Sequence, residues 1–260
     1  MSTDKRELFP NGIYHVCNRG NNKMTLFHDR EDFRFFLYLL KRFMIEFGFK
    51  LFAVCLMRNH FHLLIKDNGI NLPIIMDAIE SMYACYYIDK YNYKGRVYES
   101  RFKSNLLLSG LIFLILFRYI NRNPIVARIT DSFLNYPWSI PTPSKDKFKL
   151  IDFEYVDSIF KEKCKVGLLE YLSSSDDDLW IDPIEVQRME DADALSVFND
   201  LAARMYVNIE DVMIPIYNEK VSAFINVCIL HGVTIKQIMH FTGHSRYKIE
   251  KLLKNNKKLE

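Results

Sequence analysis

Residues 51–66 read Leu51-Phe52-Ala53-Val54-Cys55-Leu56-Met57-Arg58-Asn59-His60-Phe61-His62-Leu63-Leu64-Ile65-Lys66. Two apolar runs, Leu51 to Met57 and Phe61 to Lys66, are each of strand length and too short for a typical helix. Successive strand side chains alternate between faces, so His60 and His62 share one face while Phe61 turns to the core on the other. Two imidazoles side by side on a sheet surface form half of a metal site, although His-x-His spacing by itself is common.

The neighbouring segments complete a pattern. A further strand is expected over Gly12 to Asn18 and a fourth near Val97 to Leu107. Glu31 to Phe49 carries Phe and Leu at helical spacing and is closed by Gly48, and Leu72 to Tyr91 also reads as a helix. The order strand, helix, strand, strand, helix, strand is the split βαβ arrangement of a ferredoxin-like α+β fold, an antiparallel sheet with helices on one face. A helix over Leu111 to Asn123 follows and is expected to stop where Pro124 removes a backbone donor. Tyr136 to Lys149, with three prolines, reads as the exit from this domain.

Three regions result: a catalytic-type domain over 1–140, a linker and acidic helical region over 141–218, and an all-α region over 219–260. In the last, Val221 to His231 is stopped by Gly232, then come Thr234 to Thr242, a Gly243-His244 turn, and Ser245 as N-cap for Arg246 to Lys254. Helix, short glycine-containing turn and basic helix outline a helix-turn-helix, a punctuation that any small three-helix unit can share. The Ser173 to Asp178 run SSSDDD is a polar break, either linker or helix cap.

Composition narrows the class. The chain has 260 residues, 49% hydrophobic and 26% charged, the balance of a folded globular protein. Its net charge of +3 hides an asymmetry: residues 1–150 hold 22 Lys+Arg against 13 Asp+Glu, residues 151–220 hold 6 against 17, and residues 221–260 hold 7 against 2. A basic front and a basic tail around an acidic middle suit two parts that face nucleic acid. Five cysteines lack Cys-x-x-Cys spacing, which argues against a zinc knuckle or disulfide framework and suits a reducing cytoplasm. The charged start is unlike a signal peptide, and the apolar run Leu106 to Phe117 falls short of the ~20 residues that span a bilayer, so no membrane partner is expected.

Tyr119 and Asn123, in Arg118-Tyr119-Ile120-Asn121-Arg122-Asn123-Pro124, lie one turn apart on one helix face. If that face meets the paired histidines, the Asn123 amide oxygen completes a set of two nitrogens and one neutral oxygen. With positions left open for a phosphate oxygen, such a set suits Mg²⁺ or Mn²⁺.

Four stretches carry a resemblance in register: Tyr14-His15-Val16-Cys17-Asn18-Arg19-Gly20 with Leu26-Phe27; Met57-Arg58-Asn59-His60-Phe61-His62-Leu63-Leu64-Ile65; Arg96-Val97-Tyr98-Glu99-Ser100-Arg101-Phe102-Lys103-Ser104; and Arg118 to Pro124 with Ala127. Over about residues 8–140 the chain resembles the REP-associated tyrosine transposases, a group of the single-tyrosine HUH transposases and nucleases. The resemblance implies His60 and His62 as the metal pair, Tyr119 as nucleophile, Asn123 as third ligand, and a bacterial, nucleoid-associated enzyme acting on single-stranded or hairpin DNA as a monomer or homodimer. A phenol of pKa ~10 is only about one part in a thousand ionised at neutral pH, so its attack on a phosphodiester needs charge stabilisation at the phosphate. The product would be a 5′-phosphotyrosine and a free 3′-hydroxyl, reversible without ATP.

Around that centre Arg19, Lys23, Arg96, Arg101, Lys103, Arg118 and Arg122 are candidates for phosphate contacts, with Arg101 and Lys103 expected to share one face of the fourth strand. Tyr98 and Phe102 are candidates for stacking on unpaired bases. In the tail, Arg246, Lys248 and Lys251 are placed to meet duplex DNA. Two other readings share these residues: a non-catalytic DNA-binding regulator that relies on the helix-turn-helix, and a rolling-circle type nickase.

Overall fold

The computed structural model describes residues 9–107, 110–163, 168–173, 190–205, 207, 212, 219–231 and 233–254. They group into two compact units, one of residues 1–106 and 120–161, the other of residues 107–119 and 162–260.

The first unit is built on four strands, β1 (Ile13–Arg19), β2 (Lys50–Met57), β3 (His60–Lys66) and β4 (Lys103–Leu106), in spatial order β2-β3-β1-β4, every pairing antiparallel. Between them run α1 (Arg30–Phe47) and α2 (Leu72–Tyr91). This is the expected split βαβ sheet. Alternation along β3 sends Phe61, Leu63 and Ile65 into one core with Tyr14 and Val16 of β1, against the apolar faces of both helices.

Helix α1 forms because Asp29 caps it. Its carboxylate accepts from the Glu31 and Asp32 amides at 2.8 and 3.1 Å, and Asp32 reciprocates toward the Asp29 amide. Phe33, Phe36, Leu37, Leu40 and Phe43 recur at helical spacing and are buried, and Gly48, at φ 71°, ends the helix in a left-handed turn. Helix α2 buries Ile75, Met76, Ile79, Tyr83 and Tyr87 and stops at Asn92, also left-handed. Where the start of α1 meets the end of α2, Lys90 Nζ lies 2.8 to 3.0 Å from carboxylates of Asp29, Glu31 and Asp32, so opposite charges sit at the helix ends that favour them.

Three expectations change. The fourth strand spans only Lys103–Leu106, not Val97 to Leu107. The preceding residues are drawn aside by other partners: Val97 O accepts from the Asn21 amide, the Glu99 amide donates to Arg19 O, and Asn18 Nδ2 donates to Ser100 O. Arg101 therefore precedes β4 and does not share a strand face with Lys103. Helix α3 (Gly110–Val126) does not stop at Asn123 but carries Pro124 inside it. Proline there removes only one late hydrogen bond, and the Ala127 amide still donates to Asn123 O at 3.0 Å. Residues 136–140, finally, are not an exit. They run along the open edge of β2, where Leu56 N donates to Trp138 O and Ile140 N to Val54 O, and Trp138 stacks on Phe33 of α1 at 4.4 Å. An exposed sheet edge is covered in this way. Further on, Ile151 bridges Leu51 and Asp152 pairs with Lys50, and α4 (Phe153–Lys163) follows.

The second unit is helical. It contains α5 (Leu168–Ser173), α6 (Asp191–Arg204), α7 (Glu219–Leu230), α8 (Ile235–Thr242) and α9 (Arg246–Lys254). Phe198 of α6 meets Phe224 of α7 and Phe241 of α8 at 4.9 and 5.5 Å, and Ser222 Oγ donates to Leu252 O of α9. The expected punctuation is present: Thr234 and Gln237 form a capping box, Gly243 closes α8 at φ 67°, and Ser245 Oγ accepts from the Lys248 amide at 3.4 Å. The SSSDDD run lies outside the described residues beyond Ser173. None of the described helices is long and apolar enough to cross a membrane.

Candidate active site

The sheet face opposite α1 and α2 carries the polar side chains. His62 is central on β3, paired laterally with Cys17 of β1 and Cys55 of β2, and His60 is flanked by Arg19 and Met57. His62 is fully buried and His60 partly so, their rings perpendicular with centroids 5.0 Å apart. His15, diagonal to His62 across the β1–β3 ladder, stacks on it at 5.3 Å.

Nδ1 of both His60 and His62 is engaged. Asn59 Oδ1 is 2.7 Å from His60 Nδ1 and accepts its proton. His62 Nδ1 is 3.1 Å from His15 Nε2, and its Nε2 is 3.4 Å from Asn123 Nδ2. One proton arrangement accommodates both contacts: the Asn123 amide donates to His62 Nε2, and His62 Nδ1–H donates to His15 Nε2. In this arrangement the lone pair of His62 is on Nε2, toward Asn123.

Asn123 is brought here by the end of α3, which Asn121 also ties down by accepting from Ser139 Oγ at 3.0 Å. Ser139 in turn faces Cys55 across an antiparallel bridge, and burial pushes the Cys55 thiol up out of the range where it ionises. Rotation of the Asn123 amide by half a turn presents Oδ1 where Nδ2 now lies. The Asn123 amide thus lies beside His62, with the His60 ring 5.0 Å further along the same face, and imidazole nitrogens with an amide oxygen are donors that suit a divalent cation. Tyr119, 6% exposed, stands one turn before Asn123 in the same helix.

The other expected residues scatter. Arg19 forms a two-point ion pair with Glu99, its Nη2 3.0 Å from Oε1, and the guanidinium holds the Glu99 carboxyl below the usual range. Lys23, Arg96, Arg101 and Lys103 are exposed, and Arg101 lines a cleft with Asp77, Glu80 and Phe102. Arg118 is buried, with its guanidinium 5.5 Å from the Tyr171 ring centre, and Arg122 is half-buried. Phe102 is 4% exposed and belongs to the core, so it is not displayed for stacking. The Tyr98 hydroxyl is enclosed, and burial, reinforced by Glu80, drives its pKa well above the ordinary value. Arg246, Lys248 and Lys251 are exposed along α9, with Arg246 2.8 Å from Glu250.

Sequence reasoning missed His15 and Cys17 as members of this face. Alternation in Tyr14-His15-Val16-Cys17 was a signal for both, since Tyr14 and Val16 are core residues. It missed, too, the loop that fixes the hairpin. Leu26 and Phe27 amides donate to Arg58 O, and the Gly20 amide donates to Asn59 O at 2.8 Å. Gly20 has no substitute here, because a Cβ would collide with the Met24 carbonyl oxygen.

Residues 9–123 match the family model described as "Transposase IS200 like". A solved structure described as a REP-associated tyrosine transposase bound to a REP hairpin is similar at 14% identity and a TM-score of 0.48, covering 57% of this chain and 87% of that one. No curated protein matches the sequence.

Proposed function

We propose that this chain cuts and rejoins single-stranded or hairpin DNA through a 5′-phosphotyrosine on Tyr119, in the manner of the REP-associated branch that its four motifs resemble, a reading that the match of residues 9–123 to the IS200-like transposase model supports. The single observation that carries this reading is the approach of the Asn123 amide to Nε2 of His62 on the face that His62 shares with His60, while Nδ1 of each histidine is held by Asn59 or His15.

His60, His62 and Asn123 would hold Mg²⁺ or Mn²⁺. When bound, such an ion polarises a non-bridging phosphate oxygen and stabilises charge on the departing 3′ oxygen. The chain's own residues do the rest. Asn59 and His15 fix the two imidazoles in the ligating tautomer. Tyr119, one helical turn from Asn123, supplies the oxygen that bonds to phosphorus as the 3′ oxygen leaves and takes a proton. The reverse attack by a 3′-hydroxyl releases the phenol and reseals a strand. Lys23, Arg96, Arg101 and Lys103 are the exposed cations for the DNA backbone, and α8 with α9 is a helix-turn-helix through which Arg246, Lys248 and Lys251 meet duplex DNA.

The test is cleavage of hairpin-bearing single-stranded DNA by purified protein with and without Mg²⁺ or Mn²⁺. The expected result is a metal-dependent nick that leaves protein on the 5′ end. Undiminished cutting in excess chelator would refute it. A DNA-binding regulator without catalysis would bind the same DNA and leave it intact.

A further inference from the structure

The His62 ring has two nitrogens, and in the proposed function only Nε2 would meet a cation. Its Nδ1 side faces His15 Nε2 at 3.1 Å, and Cys17 Sγ joins them, the three ligand atoms all lying within 4.8 Å of one another in a fully buried cluster. Two nitrogens of a tetrahedral zinc are roughly 3.3 Å apart, from Zn–N bonds of about 2.0–2.1 Å. The histidine pair is thus at ligating separation already, and Cys17 has to approach by a fraction of its present distance. Two imidazoles and a thiolate suit zinc or a similar borderline-soft ion, and they suit Mg²⁺ poorly, since that ion takes oxygen ligands.

We infer that His15, Cys17 and His62 form a second, thiolate-containing site for zinc, and that its occupation closes the His60–His62–Asn123 site. The exclusion follows from one imidazole serving both. A neutral imidazole offers one lone pair, with its proton on the other nitrogen. Zinc taken at Nδ1 moves the His62 proton to Nε2, where the hard ion would bind, while the Cys17 thiol gives its proton to solvent. His15 needs no change, because its Nε2 is already the acceptor. The site requires only the geometry of β1 and β3; its consequence for cleavage rests on the function proposed above.

The two parts are tested separately. Co²⁺ alone, added to the full chain, should give a near-ultraviolet sulfur-to-cobalt charge-transfer band that Zn²⁺ abolishes. That band should vanish in Cys17→Ser, weaken strongly in His15→Ala, and persist in His60→Ala. Absence of a sulfur band, or its survival in Cys17→Ser, overturns the site whatever the DNA assay shows. In the cleavage assay with Mg²⁺, half-inhibition by Zn²⁺ should need about tenfold or more zinc in Cys17→Ser than in the unmodified chain. Equal zinc sensitivity in the two proteins overturns the exclusion.

Discussion

The Asn123 amide nitrogen lies 3.4 Å from Nε2 of His62, although 61 residues separate them in the chain. A helix end and a central strand are thereby joined at the atom through which His62 would bind a cation. Asn123→Ala is expected to leave the fold intact, because Asn121 still accepts from Ser139. It should raise the Mg²⁺ or Mn²⁺ concentration needed for half-maximal cleavage about tenfold or more. A metal titration of both proteins checks this, and an unchanged midpoint would remove Asn123 from the ligand set.

Tyr119→Phe deletes one oxygen. Covalent protein–DNA adduct, seen as a shifted band on a denaturing gel, should fall by on the order of 10³-fold or more, with circular dichroism and hairpin affinity near those of the parent. Adduct retained in this variant would move the nucleophile to another tyrosine. Tyr14 and Tyr98 would be the next to test, and burial raises the pKa of both.

Asn59 touches no cation in this scheme, yet it sets the His60 tautomer through Nδ1 at 2.7 Å. Asn59→Ala should weaken metal affinity roughly 10–100-fold. Asn59→Asp, which keeps the acceptor, should recover most of it. If both variants bind metal like the parent, the His60 orientation is set by something else.

The Lys90 cluster makes the first unit sensitive to acid. Burial raises the pKa of Asp32, but hydrogen bonds from Lys90, Tyr91 and the His28 and Asp29 amides outweigh it and hold the group below its ordinary value; at Asp29 the Lys90 ammonium is the leading cause of a lowered pKa. A lowered folded pKa stabilises above the unfolded value of about 3.9 and loses that contribution as pH falls through the folded pKa. Denaturant midpoints should therefore drop on acidification below about pH 4. Lys90→Met strands the fully buried Asp32 carboxylate and should cost roughly 3 kcal/mol at neutral pH. It should also flatten the acid dependence, since Asp32 loses its ammonium partner and keeps only the hydrogen bonds from Tyr86, Tyr91 and the His28 and Asp29 amides.

For the tail, charge reversal is a sharper instrument than truncation, because Phe198 of α6 packs on Phe224 and Phe241 and would lose its partners if 219–260 were removed. Lys248→Glu with Lys251→Glu alters two exposed positions of α9. The slope of log affinity for duplex DNA against log salt should fall by about 0.9 per lost phosphate contact. Cleavage of a minimal single-stranded substrate should be unaffected. Identical slopes would end the DNA-reading role of α9.

Periodicity in the sequence sufficed for the order of elements, because alternation along 61–66 and helical spacing along 31–47 and 72–91 are local properties of the chain. The same locality placed His60 with His62, and Tyr119 with Asn123, each pair on one face of one element. It could not bring Asn123 to His62, nor add His15 and Cys17 to that face, since this depends on strand register between residues 47 apart and on where a helix end docks. It also misjudged Pro124 and residues 136–140, where tertiary partners decide: a proline in a last turn costs a single bond, and Trp138 finds both an open strand edge and the Phe33 ring. Local steric rules fix which way a side chain points; only packing fixes what it points at.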